Sequence, residues 1–379
     1  EAVQIHVDPA EKLYQVRQKA QTYFQLGIES LLTPSGETLH DLSSVEEANL
    51  KEGDALTAVC RRGQLFSGPE ALAFAFRRAD GTVMTWGHEA LGGNSKRVKD
   101  QLVDVKQIVC NNFAFAALRS DGRIVTWGEA SRGGAGGIPR SLSSELQCIV
   151  QVVASTTDFA ALRSDGRVVC WGSTKDHGAQ SLLDTAQLVA NAGAFAALSK
   201  DGHVECWGVQ TSGGRIPEEI QQLVDIQRLH AGKHSFVAVR KDGKAFVWGD
   251  FKMEEDISPS MAEDFRDIQA VASTGSAMAL LRTDGRVLVL RATRAEDDDT
   301  KDLQEQLEDV VKIQATFGAF CALRKNGTVV TWGSTKRGGD SHGVQLQDIQ
   351  DIASTNDAFA ATRVDGTVAT WGDPRNGGN

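Results

Sequence analysis

Apolar positions along most of this chain fall in short bursts, and the bursts recur. One stretch reads Phe115-Ala-Ala-Leu-Arg-Ser-Asp-Gly-Arg-Ile-Val-Thr-Trp127-Gly128, and a second reads Phe159-Ala-Ala-Leu-Arg-Ser-Asp-Gly-Arg-Val-Val-Cys-Trp171-Gly172. An apolar run, then Asp-Gly, then a β-branched run predicts a hairpin, because the turn needs φ > 0. The turn glycine returns at Gly81, Gly122, Gly166, Gly202, Gly243, Gly285, Gly327 and Gly366, at spacings of 36–44 residues. Asp precedes it in every repeat but the seventh, where Asn326 stands. A further short strand is predicted upstream of each hairpin from the second on, as at Val105-Lys-Gln-Ile108, Ile268-Gln-Ala-Val271 and Ile349-Gln-Asp-Ile352.

All seven tryptophans, Trp86, Trp127, Trp171, Trp207, Trp248, Trp332 and Trp371, lie five residues after a turn glycine and are followed by Gly. The sixth repeat departs, with Leu290-Arg291 at that place. After most Trp-Gly pairs a second glycine pair follows at a fixed distance: Gly92-Gly93, Gly133-Gly134, Gly213-Gly214, Gly338-Gly339 and Gly377-Gly378. One Trp per repeat in one register is the mark of a structural anchor, and the turn glycines are structural for the same reason. A period near 40 residues with three to four strands per repeat predicts a mainly β protein, a β-propeller of seven or eight blades, with eight hairpins counted. Each blade would bury its faces against its neighbours.

The first sixty residues differ. Both tyrosines, Tyr14 and Tyr23, fall there, and no Trp does. Val3-Gln-Ile-His-Val7 alternates as a strand. Asp8-Pro9-Ala10-Glu11 reads as a helix start, with Leu13, Val16, Ala20 and Phe24 on one face and Gly27 as the stop. Leu31 to Leu39 reads as strand, turn, strand. Ser44-Val-Glu-Glu47 is a capping box, and Ala55 to Cys60 a last strand. The expected division is residues 1–62, a small α+β domain, and 63–379, the repeats.

Over residues 72–379 the recurring Leu-x-x-Asp-Gly-x-Val-x-x-Trp-Gly core resembles the repeats of the regulator of chromosome condensation family. Related repeats occur in HECT-type ubiquitin ligases, a plant UV-B photoreceptor and bacterial β-lactamase inhibitor proteins. The resemblance implies a propeller, of seven blades in the family. Two family marks depart here. Gly-Gln-Leu-Gly after Trp-Gly is replaced by Gly-Gly variants, and Gly-x-x-His survives only as Gly232-Lys-His-Ser235. Residues 1–62 resemble the ubiquitin-like β-grasp fold without its first strand. They have no terminal di-glycine, because Arg61-Arg62-Gly63-Gln64 runs onward, so the likeness is to a fused module.

The formal net charge is −10, the wrong sign for a nucleic-acid binder that relies on phosphate contacts. No apolar run approaches the ~20 residues of a membrane span, which leaves peripheral association as the only membrane role in view. Six cysteines, at 60, 110, 148, 170, 206 and 321, are spread with no CxxC, as expected of buried reduced thiols in a reducing compartment. Residue 1 is Glu, which fits a removed leader or a piece of a longer chain.

Catalytic constellations are not found: no Ser-His-Asp or Cys-His grouping, HExxH, P-loop or GxGxxG can be assembled, so an enzyme is not expected, and no cofactor or metal is called for. His230 and His234 have metal spacing only on a helix, and they precede a strand. Residues 296–309 carry a net charge of −7, opening with Glu296, Asp297, Asp298 and Asp299. The plain reading is a solvated loop, and the functional reading is a docking site for a basic partner. Loops after Trp-Gly vary most between repeats: His88-Glu89, Ser131-Arg132, Lys175-Asp176-His177 and Lys336-Arg337. Variable residues on a regular frame are where recognition resides. The expected function is a non-catalytic protein-interaction scaffold, an accessory subunit of a larger assembly. The resemblance adds three alternatives: guanine nucleotide exchange on a small GTPase, the recognition arm of a HECT-type ligase, and enzyme inhibition.

Overall fold

The structure is a computed structural model that describes residues 2–24, 26–61, 63–66, 72–173, 182–250, 264–291, 303 and 305–378. It comprises two compact segments, residues 1–184 and 185–379. The first holds an N-terminal module and three three-stranded antiparallel sheets. The second holds five more.

Every repeat is a meander whose middle strand pairs with both neighbours. In repeat two, Val105–Cys110, Ala114–Arg119 and Ile124–Gly128 lie side by side. Phe115 faces Trp127 across the last two strands. The eight turn glycines all take φ between 76° and 92°, the left-handed region that glycine enters without strain. The Phe-Ala-Ala-Leu arm is explained by alternation along a strand covered on both sides. Ala114, Ala116 and Leu118 point forward onto repeat three, while Phe115 and Ala117 point back onto repeat one. Each interface therefore packs a face of small residues against one of large residues. Ala73, Ala75 and Val83 meet Val105, Ile108, Phe115, Ala117, Val125 and Trp127. The second segment repeats this: Ala194, Ala196 and Leu198 meet Ile226, Leu229, Phe236, Ala238 and Trp248.

A second coupling joins successive repeats at the turn. The Gly81 carbonyl accepts from Val105 N at 3.0 Å, that of Gly122 from Ile149 N at 2.9 Å, and that of Gly327 from Ile349 N at 2.9 Å. At most of these joints the residue ahead of the strand is held at positive φ: Asp104, Cys148, Asp267, Asp309 and Asp348 lie between 50° and 56°. Its backbone sits against the turn glycine, so a Cβ on Gly122 would stand 3.0 Å from Cys148 Cα. Glycine at the turn is thus demanded twice, by its φ and by the next repeat.

Repeat six keeps the plan without indole. Leu290 pairs with Met278 across the strands, and both are buried with Phe265, Val237 and Val247.

The N-terminal module departs from the β-grasp expectation. Its only sheet among the described residues has two strands, Ile28–Leu32 and Thr57–Cys60. Residues 2–7 alternate in burial, yet they form no strand because nothing pairs with them. The helix runs Leu13–Phe24 and buries Leu13, Val16, Ala20 and also Arg17. Asp8 accepts from Ala10 N at 2.8 Å in the turn ahead of the helix rather than at its first residue. Ser44 and Glu47 exchange capping-box bonds of 3.0 and 2.6 Å around a turn, not a helix.

Charge fastens this module to repeat two. Arg17 donates to both oxygens of Asp104 at 3.1 Å, to Asp41 at 3.1 Å and to the Ile28 carbonyl at 2.9 Å. Arg61 lies 3.6 Å from Asp104 and 3.7 Å from Glu29. Burial pushes the Asp104 carboxyl up, but the Arg17 charge, bonds from Arg17 and Gln18, and the Arg61 charge reverse this and leave it below its ordinary value. Burial pulls Arg17 down, and Asp41 and Asp104 more than restore it. Arg61 ends lowered, by burial and the neighbouring Arg17 charge, and its Nε and Nη1 meet no hydrogen-bond acceptor among the described residues.

Candidate functional site

The loop that follows Trp-Gly is built the same way wherever Gly-Gly closes it. A single 3₁₀ turn spans Glu89–Leu91, Ala130–Arg132, Gln210–Ser212, Thr335–Arg337 and Pro374–Asn376. The next residue, Gly92, Gly133, Gly213, Gly338 or Gly377, takes φ between 85° and 104°. Gly92, Gly133, Gly213 and Gly338 lie against the Phe–Trp pair of the following repeat. Their carbonyls accept the indole N–H: Trp127 to Gly92 at 2.9 Å, Trp171 to Gly133 at 3.1 Å, Trp248 to Gly213 at 3.1 Å and Trp371 to Gly338 at 3.0 Å. A Cβ on Gly133 would stand 2.8 Å from Trp171 and 2.9 Å from Phe159. The second glycine folds back on its own repeat, and a Cβ on Gly134 would stand 2.5 Å from the Gly128 backbone. Both glycines are therefore fixed by contact, and the residues between Trp-Gly and Gly-Gly are left for display.

Phe and Trp pair in the seven repeats that hold both, with centroids 5.1–5.5 Å apart, stacked in six and tilted at Phe236–Trp248. The tryptophans are not equally buried. Trp127 and Trp171 are fully enclosed, whereas Trp86, expected as an anchor like the rest, is 44% exposed. Indole N–H groups of Trp207 and Trp332 are buried without an acceptor among the described residues. The stretch ahead of Trp332 carries no Gly-Gly and falls largely outside the described residues.

The displayed residues differ from loop to loop. His88 and Glu89 are exposed. Ser131 donates to Glu129 at 2.5 Å, and Arg132 lies over the Phe113 ring at 5.0 Å. Lys336 is exposed, while Arg337 pairs with Asp357 at 3.2 Å and lies over Phe317 at 4.5 Å. Lys233 lies over the same Phe317 ring at 3.5 Å, so one aromatic holds two cations. Lys175, Asp176 and His177, and the acidic run Glu296, Asp297, Asp298 and Asp299, lie outside the described residues. The structure thus puts His88, Glu89, Ser131, Arg132, Lys336 and Arg337 on loops of one construction.

Chemistry of other kinds has little support among the described residues. No group of three or more His, Cys, Asp or Glu is arranged to hold a metal. His230 is half-buried on a strand, its pKa lowered by burial and by the charge of Arg228. His234 faces Ser212 Oγ at 3.4 Å. Burial pushes the thiols of Cys110 and Cys206 up to about 12, which leaves them unreactive. No described helix is long and apolar enough to cross a membrane.

No protein-family model matches this chain, and no curated protein does. Solved structures similar to it are propellers with regulator of chromosome condensation-like repeats. The ectodomain of the Physcomitrella patens receptor kinase CR4 is 15% identical with a TM-score of 0.46, over 76% of this chain and 75% of that one. Prp20p of Saccharomyces cerevisiae is 13% identical with a TM-score of 0.43, over 90% and 89%. Human WBSCR16 is 17% identical with a TM-score of 0.42, over 80% and 86%. The likeness is one of fold.

Proposed function

We propose that this chain is a non-catalytic protein-interaction scaffold whose recognition surface is the set of loops between Trp-Gly and Gly-Gly. The observation that carries this reading is the division of labour within each loop. Glycines at the closing end are pinned by an indole hydrogen bond and by backbone contact, while most of the four residues between Trp-Gly and Gly-Gly are at least partly exposed and change chemistry from repeat to repeat. Such a frame holds its loops rigid before a partner arrives, which lowers the ordering cost of binding. The N-terminal module, fastened through Arg17 and Asp104, adds a second surface to the first three repeats. We read it as ubiquitin-like from its helix packed on a two-stranded sheet; an experimental structure showing a four-stranded sheet there would support that finer reading.

Cross-linking mass spectrometry of the native protein tests the scaffold reading. Cross-links from Lys336 to a partner are expected. They should weaken in an Arg337→Glu variant that keeps the reactive Lys336 and melts like the wild type, and a partner whose cross-links all avoid these loops contradicts the reading.

A further inference from the structure

Three arginines, Arg17, Arg61 and Arg77, are buried where the N-terminal module meets repeats one and two. Two enclosed carboxylates face them, Asp41 and Asp104, and Asp41 is shared with the half-exposed Lys106 at 3.5 Å. The third carboxylate in reach, Glu29, is 44% exposed, and its Oε2 stands 3.7 Å from Arg61 Nε and 3.4 Å from Arg77 Nη2. Arg77 is otherwise held through Nη1 by the Lys106 carbonyl and through Nη2 by Gln64 at 3.2 Å. Arg61 and Arg77 thus converge on one oxygen, yet the Nε–H of each is buried with no acceptor among the described residues. Asp80, in the turn beside Arg61, bonds Thr82 and is offset by Arg78.

Buried donors are rarely left unsatisfied, and an ion or a water is the ordinary partner where the protein supplies none. A neutral partner would satisfy these N–H groups and leave the charge, and Arg61 is already lowered by burial and by the neighbouring charges of Arg17 and Arg77. We propose that the Nε edges of Arg61 and Arg77 hold a monovalent anion, chloride in physiological salt, at the place that Glu29 approaches. Three guanidiniums against two enclosed carboxylates leave one positive charge, so one negative charge completes the set and a divalent anion would exceed it. Glu29 competes for the same two arginines. Arg61 belongs to the N-terminal module and Arg77 to repeat one, so the ion fastens the module to repeat one as Asp104 fastens it to repeat two.

Titration of chloride into the full chain, with gluconate keeping ionic strength constant, tests this. The melting temperature should climb with the logarithm of chloride concentration once the site fills, and bromide should act in its place. Glu29→Gln removes the competing carboxylate and should move the onset of that climb to several-fold lower chloride. Arg61→Gln, where it folds, should lose the response. Crystals grown with bromide should show an anomalous peak between Arg61 and Arg77. A melting temperature indifferent to chloride in both the wild type and Glu29→Gln, an onset that Glu29→Gln leaves in place, or water rather than bromide between the two arginines would overturn the proposal. A chloride response kept by folded Arg61→Gln would do the same, because it puts the ion elsewhere.

Discussion

At the scale of single residues, identical letters do different work because their cover comes from elsewhere. Trp127 is 1% exposed and hydrogen-bonded to Gly92, whereas Trp86 is largely open. Truncating a fully buried Trp costs about 3–5 kcal/mol. Trp127→Ala should therefore lower the melting temperature by many degrees, and Trp86→Ala should shift it little in dilute protein; comparable shifts would refute the assignment of the indole as anchor. Glycines divide in the same way. Alanine at Gly136, φ 74° with open space around it, should cost only the left-handed penalty of about 1–2 kcal/mol. Alanine at Gly133 meets buried rings as well and should cost about 1–3 kcal/mol more. Chemical denaturation of the pair reads the difference directly.

At the scale of elements, the sheets were legible in the sequence because every repeat restates the same alternation and the same turn. Each predicted upstream strand and hairpin named from Val105 onward has a counterpart in a meander. Two features were less legible for a physical reason. The left-handed residue ahead of most first strands, usually Asp, left only a weak trace, Leu102-Val-Asp104-Val and Leu346-Gln-Asp348-Ile, in a register that hairpin signals do not cover. The Arg17–Asp104 pair joins residues 87 apart, and no local spacing announces it. In residues 1–62 the alternation of Val3 to Val7 mimicked a strand, but a strand needs a partner edge and none is supplied.

The same ion pair yields a pH prediction. Asp104 has a depressed pKa in the folded state, so its contribution is present above the unfolded value of about 3.9 and is lost as pH falls through the lower folded value. Attachment of the N-terminal module should weaken in that acid window. Asp104→Asn keeps a residue that tolerates φ 50° but removes the charge between Arg17 and Arg61. Breaking a buried pair from one side costs about 3–5 kcal/mol. Hydrogen exchange across Leu13–Phe24 should accelerate in the variant at neutral pH and lose its acid dependence; unchanged exchange would mean that packing alone holds the module.

At the scale of the molecule, each segment is a series of sheets in which one repeat completes the next. The first glycine of every covered Trp-Gly loop closes the aromatic pair of the following repeat, and each joined turn glycine receives its first strand. Stability in such an array is shared between neighbours rather than held by any single repeat. That sharing is why the displayed loop residues can vary: none of His88, Glu89, Ser131 or Lys336 takes part in either coupling. Loop exchange should confirm it. Swapping residues 129–132 for 334–337 should leave the melting temperature within about 1 °C, in line with the near-neutrality of surface changes, while altering which partner cross-links appear.

The most direct test of the central claim is exchange of the indole protons in dilute, ¹⁵N-tryptophan-labelled protein. If Gly-Gly loops pin the following repeat, the N–H of Trp127, Trp171, Trp248 and Trp371 should exchange far more slowly than that of Trp86. Equal exchange at all five positions, or fast exchange at the four pinned indoles, would contradict the account.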